Sequence, residues 1–290
     1  MKHRSGSVLG VALAVIFIGS GLAQTDLTFT FKTVAVKGAL DTRIYAINNL
    51  GNMVGQYTDA SGVNHGLAIE QGKVITIDDP NGTNTLCFGI NSSNAIVGAY
   101  QDSSSAYHGF LYKSGKFTEV LIAGGTQVEA SGINDKGQIV GTYLDSTTLV
   151  EHGFLMAGSK VRTLDVPGAT AAWAWDINNN GLISMQGGDS TGTWWGEIYD
   201  GHGFTKLQVP GATSTYAHSI DSAGDVVFSW TDSSGIYHGA LYQAGSYTIF
   251  DDPAGTDGTY GDGINDKHIV TGVIHTNGGS TAEGFQAKYQ

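Results

Sequence analysis

The stretch GINDKGQIVGTYLDSTTLVEHGFL, residues 132–155, combines several signals of antiparallel β-structure. Asn134 and Asp135 lead through a Lys-Gly turn into the alternating run QIVGTY, and a polar loop then precedes His-Gly-Phe-Leu. A glycine-containing turn between two alternating runs is typical of a β-hairpin, because glycine readily adopts the positive φ that tight turns need. No helical spacing of apolar residues interrupts the pattern. The stretch therefore predicts short strands that pair with their neighbours along the chain.

The same phrase recurs six times at a nearly fixed period. An Ile followed by Asn or Asp recurs at steps of 43, 43, 44, 43 and 44 residues, at Ile47, Ile90, Ile133, Ile177, Ile220 and Ile264. The His-Gly phrase recurs in four copies, at His65, His108, His152 and His238, with Trp195 in its place in the fourth copy. Repeats of about this length with four antiparallel strands are typical of propeller blades, whereas the coils of a β-solenoid are shorter and pair in parallel. We predict an all-β fold, a six-bladed β-propeller.

The lengths of the links predict how the strands are arranged within each blade. Three links in each repeat are tight, whereas the link around PGAT is longer and is expected to cross between blades. The inner strand then ends at Ile133 in the third repeat and is followed by QIVGTY, HGFLM and the outer strand VRTLDV. This order leaves the last blade without an outer strand. The segment LTFTFKTVAV, residues 27–36, is predicted to supply it and to close the ring, which would leave no open sheet edge.

The N-terminus has the pattern of a secretory signal peptide over residues 1–23. Lys2 and Arg4 precede a short apolar run, and Ala23 stands at the expected cleavage position. We predict export to the extracellular space or the periplasm, and a single repeat domain over residues 24–290. No other segment approaches the roughly 20 apolar residues that a membrane-spanning helix needs, so membrane insertion is not expected.

The charge of the mature chain limits the classes of partner. Loss of Lys2 and Arg4 changes the formal net charge from −12 to −14. Such an acidic surface disfavours nucleic acid and anionic membranes. Cys87 is the only cysteine, so the chain has no intrachain disulfide, and we expect its thiol to be a small buried apolar group. A monomer without a cofactor is expected.

The repeats resemble those of the bacterial extracellular HAF-repeat proteins, which are named after a His-Ala-Phe phrase. The phrases INDKGQIVG, HGFLY and FTEV carry the resemblance, and their sixfold recurrence extends it over residues ~29–290. This chain has Gly where the family name has Ala. The resemblance implies an exported repeat protein and brings no established catalytic residues.

No motif in the sequence specifies catalysis. The recurring His and the Asn or Asp after each Ile are expected to be structural, since a repeat fold places equivalent residues in rings and Asn and Asp favour turns. The segment DINNNG from Asp176 begins like a calcium-binding loop, but Gly187 stands where such a loop needs a bidentate Glu, so no metal site is predicted. HExxH, P-loop and CxxC motifs are absent from the sequence.

The tryptophans break the repeat and indicate a binding surface. Four of the five lie in the fourth copy, at Trp173, Trp175, Trp194 and Trp195. The predicted strand order places them toward one face, where we expect them to bind a neutral glycan by stacking on the apolar faces of sugar rings. Trp230 replaces the Tyr of other copies and is expected to be structural. A scaffold for another surface protein and a polysaccharide hydrolase or lyase that uses carboxylates on this face are the alternatives.

Overall fold

A computed structural model describes residues 27–290 of the chain, and the predicted signal peptide lies outside these residues. The described residues form six four-stranded antiparallel sheets, arranged as the blades of a propeller. Among them, no helix is long and apolar enough to span a membrane. The predicted six-bladed β-propeller is therefore confirmed.

The 24 strands are numbered in chain order and fall into four sets by their distance from the propeller axis. The inner strands are β2 (Asp41–Ile47), β6 (Thr83–Ile90), β10 (Gly125–Ile133), β14 (Ala171–Ile177), β18 (Ser214–Ile220) and β22 (Thr259–Asn265). The second strands are β3 (Met53–Thr58), β7 (Ile96–Gln101), β11 (Ile139–Asp145), β15 (Ile183–Gly188), β19 (Val226–Thr231) and β23 (Ile269–Thr276). The third strands are β4 (Asn64–Glu70), β8 (Tyr107–Lys113), β12 (Glu151–Ala157), β16 (Trp194–Tyr199), β20 (Tyr237–Gln243) and β24 (Thr281–Tyr289). The outer strands are β5 (Lys73–Ile77), β9 (Lys116–Glu119), β13 (Lys160–Leu164), β17 (Phe204–Leu207), β21 (Ser246–Phe250) and β1 (Phe29–Val34). Blades one to six begin with β2, β6, β10, β14, β18 and β22.

The N-terminal strand closes the ring, as the sequence predicts. Strand β1 is the outer strand of blade six and pairs with β24 over six residue pairs, beginning with Phe29 opposite Tyr289. The Phe29 ring stacks on Phe250 of blade five with 4.8 Å between ring centroids, and Phe31 lies edge-on to Phe285 at 5.6 Å. Both ends of the chain therefore contribute to one sheet, and the closing strand also packs against the preceding blade.

The core lies between neighbouring strands and blades, and it is filled by pairing a large side chain with glycine. In blade three, Phe154 of the His-Gly-Phe phrase is fully buried and lies opposite Gly141 on β11. A Cβ on Gly141 would lie 2.8 Å from the Phe154 ring and 2.0 Å from a backbone oxygen, so only glycine fits there. Blade five reverses the sizes, with Phe228 on the second strand opposite Ala240 on the third. In both of these blades one large aromatic side chain is therefore accommodated by a small residue on the neighbouring strand.

The recurring histidines fix the third strand of their blades, and their predicted structural role is confirmed. His65 Nδ1 lies 2.8 Å from Asp78 Oδ2 just beyond the outer strand, and the imidazole stacks on Tyr57 of the second strand with 5.0 Å between ring centroids. The same arrangement recurs with a carboxylate and an aromatic ring for His108, His152 and His238. Trp230 is the aromatic partner of His238, which agrees with its expected structural role. The free thiol of Cys87 is fully buried, as expected.

The Asn or Asp after each inner-strand Ile joins neighbouring blades in addition to forming the predicted turn. Asn48 Oδ1 accepts hydrogen bonds from the turn amides of Leu50 and Asn52, each at 3.0 Å. The side-chain amide of such an Asn donates to the backbone oxygen of its counterpart in the next blade, in the pairs Asn48 to Asn91, Asn91 to Asn134, Asn134 to Asn178, Asn178 to Asp221 and Asn265 to Asn48. We call these six residues the Asn ring. Asp221 interrupts it, because a carboxylate has no hydrogen to donate to Asn265.

Replacement of Asp221 by Asn is expected to complete the Asn ring and to stabilise the fold. Burial raises the pKa of Asp221 to about 6 from 3.8, so its contribution to stability is full below about pH 4 and is lost as the pH rises through 6. Asp221→Asn should therefore raise the free energy of unfolding by about 1–3 kcal/mol at pH 7.5, and by much less at pH 4. Urea unfolding at both pH values measures this. Asn178→Asp is the matched control, and it should lower the free energy of unfolding at pH 7.5. An Asp221→Asn variant that is no more stable than wild type at pH 7.5 would contradict this prediction.

Candidate ligand-binding site

The inner strands present two side chains per blade to the propeller axis, and the deeper of the two lies at a β-bulge in every inner strand. One of the two side chains lies two positions before the recurring Ile of each inner strand. These six residues form a ring deep in the propeller, which we call the deep ring: Tyr45, Phe88, Ser131, Trp175, His218 and Asp262. The fourth residue before that Ile belongs to a mouth ring, formed by Arg43, Leu86, Glu129, Trp173, Tyr216 and Tyr260. We call the face on which the inner strands begin the mouth face, and the face that carries the Asn ring the Asn face.

Three of the four predicted Trp residues form one cluster on the mouth face. Trp194 begins the third strand of blade four and lies 4.7 Å from Trp173 between ring centroids. Trp173 lies 5.9 Å from Trp175, which in turn meets the edge of His218 at 5.1 Å. All three indoles are partly exposed. We call Trp194, Trp173, Trp175 and His218 the aromatic path, since they lead from the rim of blade four to the axis.

Trp195 does not belong to this cluster, which corrects the expectation of an exposed four-Trp surface. Its indole is only 7% exposed and lies in the core with its Nε1–H donating to Glu197 Oε1 at 3.0 Å. Lys206 Nζ lies 4.1 Å from the centre of the ring. The physical reason is strand alternation, because Trp194 and Trp195 are adjacent in β16 and must point to opposite sides of the sheet.

A polar groove between blades three and four runs beside the aromatic path. It has a volume of about 90 Å³ and is lined by Trp173, Trp175 and polar residues that include Gln127, Glu129 and Glu151. Trp173 Nε1–H donates to Glu151 Oε2 at 2.8 Å, which fixes the indole. Burial, and then the charge of Glu151, raise the pKa of Glu129 to about 7. The groove therefore places aromatic faces next to hydrogen-bonding groups.

The mouth ring continues as a second aromatic arc on blades five and six, which the sequence analysis missed. Tyr237 stacks on Tyr260 with 4.3 Å between ring centroids, and Tyr216 lies 6.0 Å from Tyr237 on the other side. His275 lies 5.0 Å beyond Tyr260. Aromatic side chains therefore border half of the mouth, from blade four to blade six.

A central cavity of about 230 Å³ lies on the axis below the mouth. It is lined by the deep ring together with Asp176 and Ser219, and by aliphatic side chains of blades one and two. Tyr45 and Phe88 lie 5.6 Å apart between ring centroids on one side of it, and His218 Nε2 lies 3.8 Å from Asp262 Oδ1 on the other. The deep ring was not predicted from the sequence either. When the six copies are aligned on their Ile residues, however, the residue two positions before the Ile is different in every copy.

Burial shifts the pKa values of His218 and Asp262 in the cavity toward the uncharged forms. It lowers the pKa of His218 to about 4, so the imidazole is uncharged above that pH. It raises the pKa of Asp262 to about 7, against the opposing effect of the Arg43 guanidinium. The Asp262 carboxyl contacts His218 Nε2 at 3.8 Å, which is longer than a hydrogen bond, and within residues 27–290 the buried Nε1–H of Trp175 is unpaired. These groups are available to a ligand that donates and accepts hydrogen bonds.

The structure gives the DINNNG segment a role in the hairpin turn. Asn178 Oδ1 accepts hydrogen bonds from the amides of Asn180 and Leu182, at 2.9 Å and 3.0 Å. The carboxylate of Asp176 accepts from the Ser219 hydroxyl and from the amides of Ile177 and Ile220. In the part of the chain that the structure describes, no group of three or more His, Cys, Asp or Glu is placed to hold a metal ion.

No protein-family model matches the chain, and no curated protein matches its sequence. The resemblance to the HAF-repeat proteins therefore stays a prediction.

Solved structures match the fold at low sequence identity. A putative TolB from Agrobacterium tumefaciens has a TM-score of 0.60 and 14% identity, with 91% of this chain and 98% of that chain covered. TolB from Acinetobacter baumannii has a TM-score of 0.55 and 12% identity, with 86% of this chain but only 66% of that chain covered. A mutant of Aleuria aurantia lectin, in complex with Fucalpha1-6GlcNAc, has a TM-score of 0.53 and 11% identity, with 89% and 96% covered. At such identities the likeness shows the fold alone.

Proposed function

We propose that this protein is an exported β-propeller that binds a neutral glycan on its mouth face through Trp173, Trp175 and Trp194. The observation that carries the proposal is the aromatic path, in which three partly exposed indoles and an imidazole follow one another at 4.7–5.9 Å from the rim to the axis. Sugar rings have an apolar C–H face, and an indole offers a wide, rigid partner that loses little conformational entropy on binding.

The polar groups beside the aromatic path match the hydroxyl edges of a sugar. Gln127, Glu129 and Glu151 line the groove next to Trp173, so a ring stacked on the indole would have acceptors at its edge. The formal charge of −14 for the mature chain, −12 less the two cations of the signal peptide, disfavours uronic acids, sulfated glycans and other anionic polymers. The proposal is therefore a neutral glycan rather than an anionic one.

The comparisons support a glycan site on a fold of this kind without specifying which glycan. One of the matched structures is a lectin in complex with a fucosylated disaccharide. Unrelated functions recur on common folds, so the aromatic path carries the proposal and the likeness to a lectin adds support. A scaffold that binds another surface protein on the mouth face is the alternative binding role.

A polysaccharide hydrolase is the second candidate function, because Asp176 and Asp262 both line the central cavity. A glycoside hydrolase needs two carboxyls with free oxygens on opposite sides of the scissile bond. Both oxygens of Asp176 already accept hydrogen bonds, from Ile177, Ser219 and Ile220. This use of Asp176 in holding blades four and five favours binding over hydrolysis.

Binding of the mature chain to neutral polysaccharides tests the proposal. We expect retardation on pullulan, inulin, amylose or linear mannan in affinity electrophoresis, with no new reducing ends released. Trp173→Ala and Trp194→Ala should each weaken binding by about 1–3 kcal/mol, or roughly 5- to 150-fold in Kd.

Trp230→Tyr is the matched control, because other blades carry Tyr in that position and the Trp230 ring stacks on His238 rather than on the aromatic path. It should bind like wild type. Folded Trp173→Ala and Trp194→Ala variants with unchanged affinity, or a wild-type chain that no neutral polysaccharide retards, would contradict the proposed function. Steady release of reducing ends would favour the hydrolase instead.

A further inference from the structure

The central cavity is closed on the side away from the mouth. Ile47 and Ile90 line both this cavity and the shallow pocket on the Asn face, so the inner-strand Ile residues separate the two. All six of these Ile residues are buried. Beyond them, the five amide-to-carbonyl bonds of the Asn ring hold the blades together. A polymer that enters from the mouth face must therefore end in the cavity, because it cannot thread through the axis.

The aromatic path leads into this closed cavity. The polar groove and the cavity share Ser131 and Trp175 as lining residues, so the two spaces adjoin at these side chains. Trp175 also connects Trp173 on the mouth with His218 in the cavity. A chain that lies along the Trp residues of blade four would continue into the cavity with its last unit.

The size of the cavity matches one sugar unit. Its volume of about 230 Å³ corresponds to roughly eight liquid waters at about 30 Å³ each. That space is sufficient for a single six-membered ring with its hydroxyl groups.

The lining has the chemistry that a terminal sugar needs. Tyr45 and Trp175 belong to blades one and four, on opposite sides of the axis, and so offer aromatic faces to both sides of a ring. Asp262 and His218 lie together on blades six and five and offer acceptors to hydroxyl groups. The Asp262 carboxyl meets His218 only at 3.8 Å, beyond hydrogen-bond distance, and such a weakly paired group gains from a ligand that donates hydrogen bonds. The same carboxyl would repel a terminal uronate or sialate.

We propose that the central cavity holds the terminal unit of a neutral glycan, with its ring between Tyr45 and Trp175 and a hydroxyl donating to Asp262. The inference rests on the proposed function, since the preceding units lie on Trp173 and Trp194. It adds a specificity, because a protein of this design recognises the end of a chain rather than its middle.

The number of protein molecules bound per polysaccharide chain tests end recognition with the wild-type protein. The probe is a set of narrow size fractions of the unbranched polysaccharide that the mature chain binds best among those named above, titrated by calorimetry. End recognition requires one protein per chain at every chain length. A number that grows with chain length overturns the cavity proposal and leaves the proposed function standing, whereas no binding to any of the polysaccharides overturns both.

Variants separate the two parts of the site. Asp262→Leu should weaken binding at least tenfold while Trp230→Tyr leaves it unchanged. Wild-type affinity in folded Asp262→Leu overturns the cavity proposal. If Asp262→Leu loses binding but Trp173→Ala and Trp194→Ala keep it, the cavity site stands and the proposed role of the Trp cluster fails.

Discussion

A chain that begins at residue 37 is expected to melt on the order of 10–20 °C below the chain that begins at residue 24. The truncation removes β1, and with it the ladder to β24 and the rings of Phe29 and Phe31 from the cluster around Phe250. Burial of two Phe side chains contributes about 3–6 kcal/mol, and 1 kcal/mol corresponds to about 2–4 °C in a domain of this size. Differential scanning calorimetry of the two chains measures the difference.

The truncation should also expose β24 as an open edge, which favours association between chains. Light scattering should detect oligomers of the truncated chain, and a synthetic peptide of residues 24–36 should restore both the melting temperature and the monomer. Thr30→Ala is the matched control, because Thr30 lies in β1 with an exposed side chain. A truncated chain that remains monomeric with the melting temperature of the longer chain would show that β1 does not close the ring.

The Asp262→Asn variant is expected to be more stable than wild type at pH 8 by on the order of 2–4 kcal/mol. Burial raises the pKa of this carboxyl from 3.8 to about 7, so the folded protein binds the proton more tightly than the unfolded chain does. The stability from Asp262 is therefore full below about pH 4 and is lost as the pH rises through 7. Asn has no charge to bury, so the gain should be below about 1 kcal/mol at pH 4. Urea unfolding across this range measures it.

Asp59→Asn is the control, because its free energy of unfolding at pH 8 should change in the opposite direction. Hydrogen bonds from the Val63 and Ser61 amides lower the pKa of Asp59, so its charge stabilises the fold above about pH 4 and the variant should lose stability at pH 8. An Asp262→Asn variant that gains nothing between pH 4 and pH 8 would mean that Asp262 is well solvated. A carboxyl that lowers the stability of the fold is expected where binding requires it.

The architecture could be predicted because the sequence repeats it six times. Each copy contains the same turns, so the order of strands in a blade and the missing outer strand of the last blade follow from link lengths alone. The contacts between blades did not follow in this way. The turn-forming role of Asn48 is local, whereas its bond to the backbone of Asn91 depends on how closely two blades approach.

The binding site was predicted only in part, because it lies where the copies differ. The accumulation of Trp in the fourth copy indicated the right blade, and the structure brings the Trp173 and Trp175 rings within 5.9 Å of each other across a β-bulge in β14. The alternation of side chains along β16 excludes Trp195 once Trp194 faces outward. Tyr45, His218 and Asp262 were not predicted, because the alignment of the six copies shows that their common position varies but not that the inner strands turn it toward the axis.

The indole Nε1–H signals of the five Trp residues, followed by NMR while a neutral polysaccharide is added, test the central claim most directly. The account predicts that the signals of Trp173, Trp175 and Trp194 shift together and saturate at one affinity. The signals of Trp195 and Trp230, which lie in the core and under His238, should not move. No shift with any neutral polysaccharide, or shifts confined to Trp195 and Trp230, would contradict glycan binding on the mouth face.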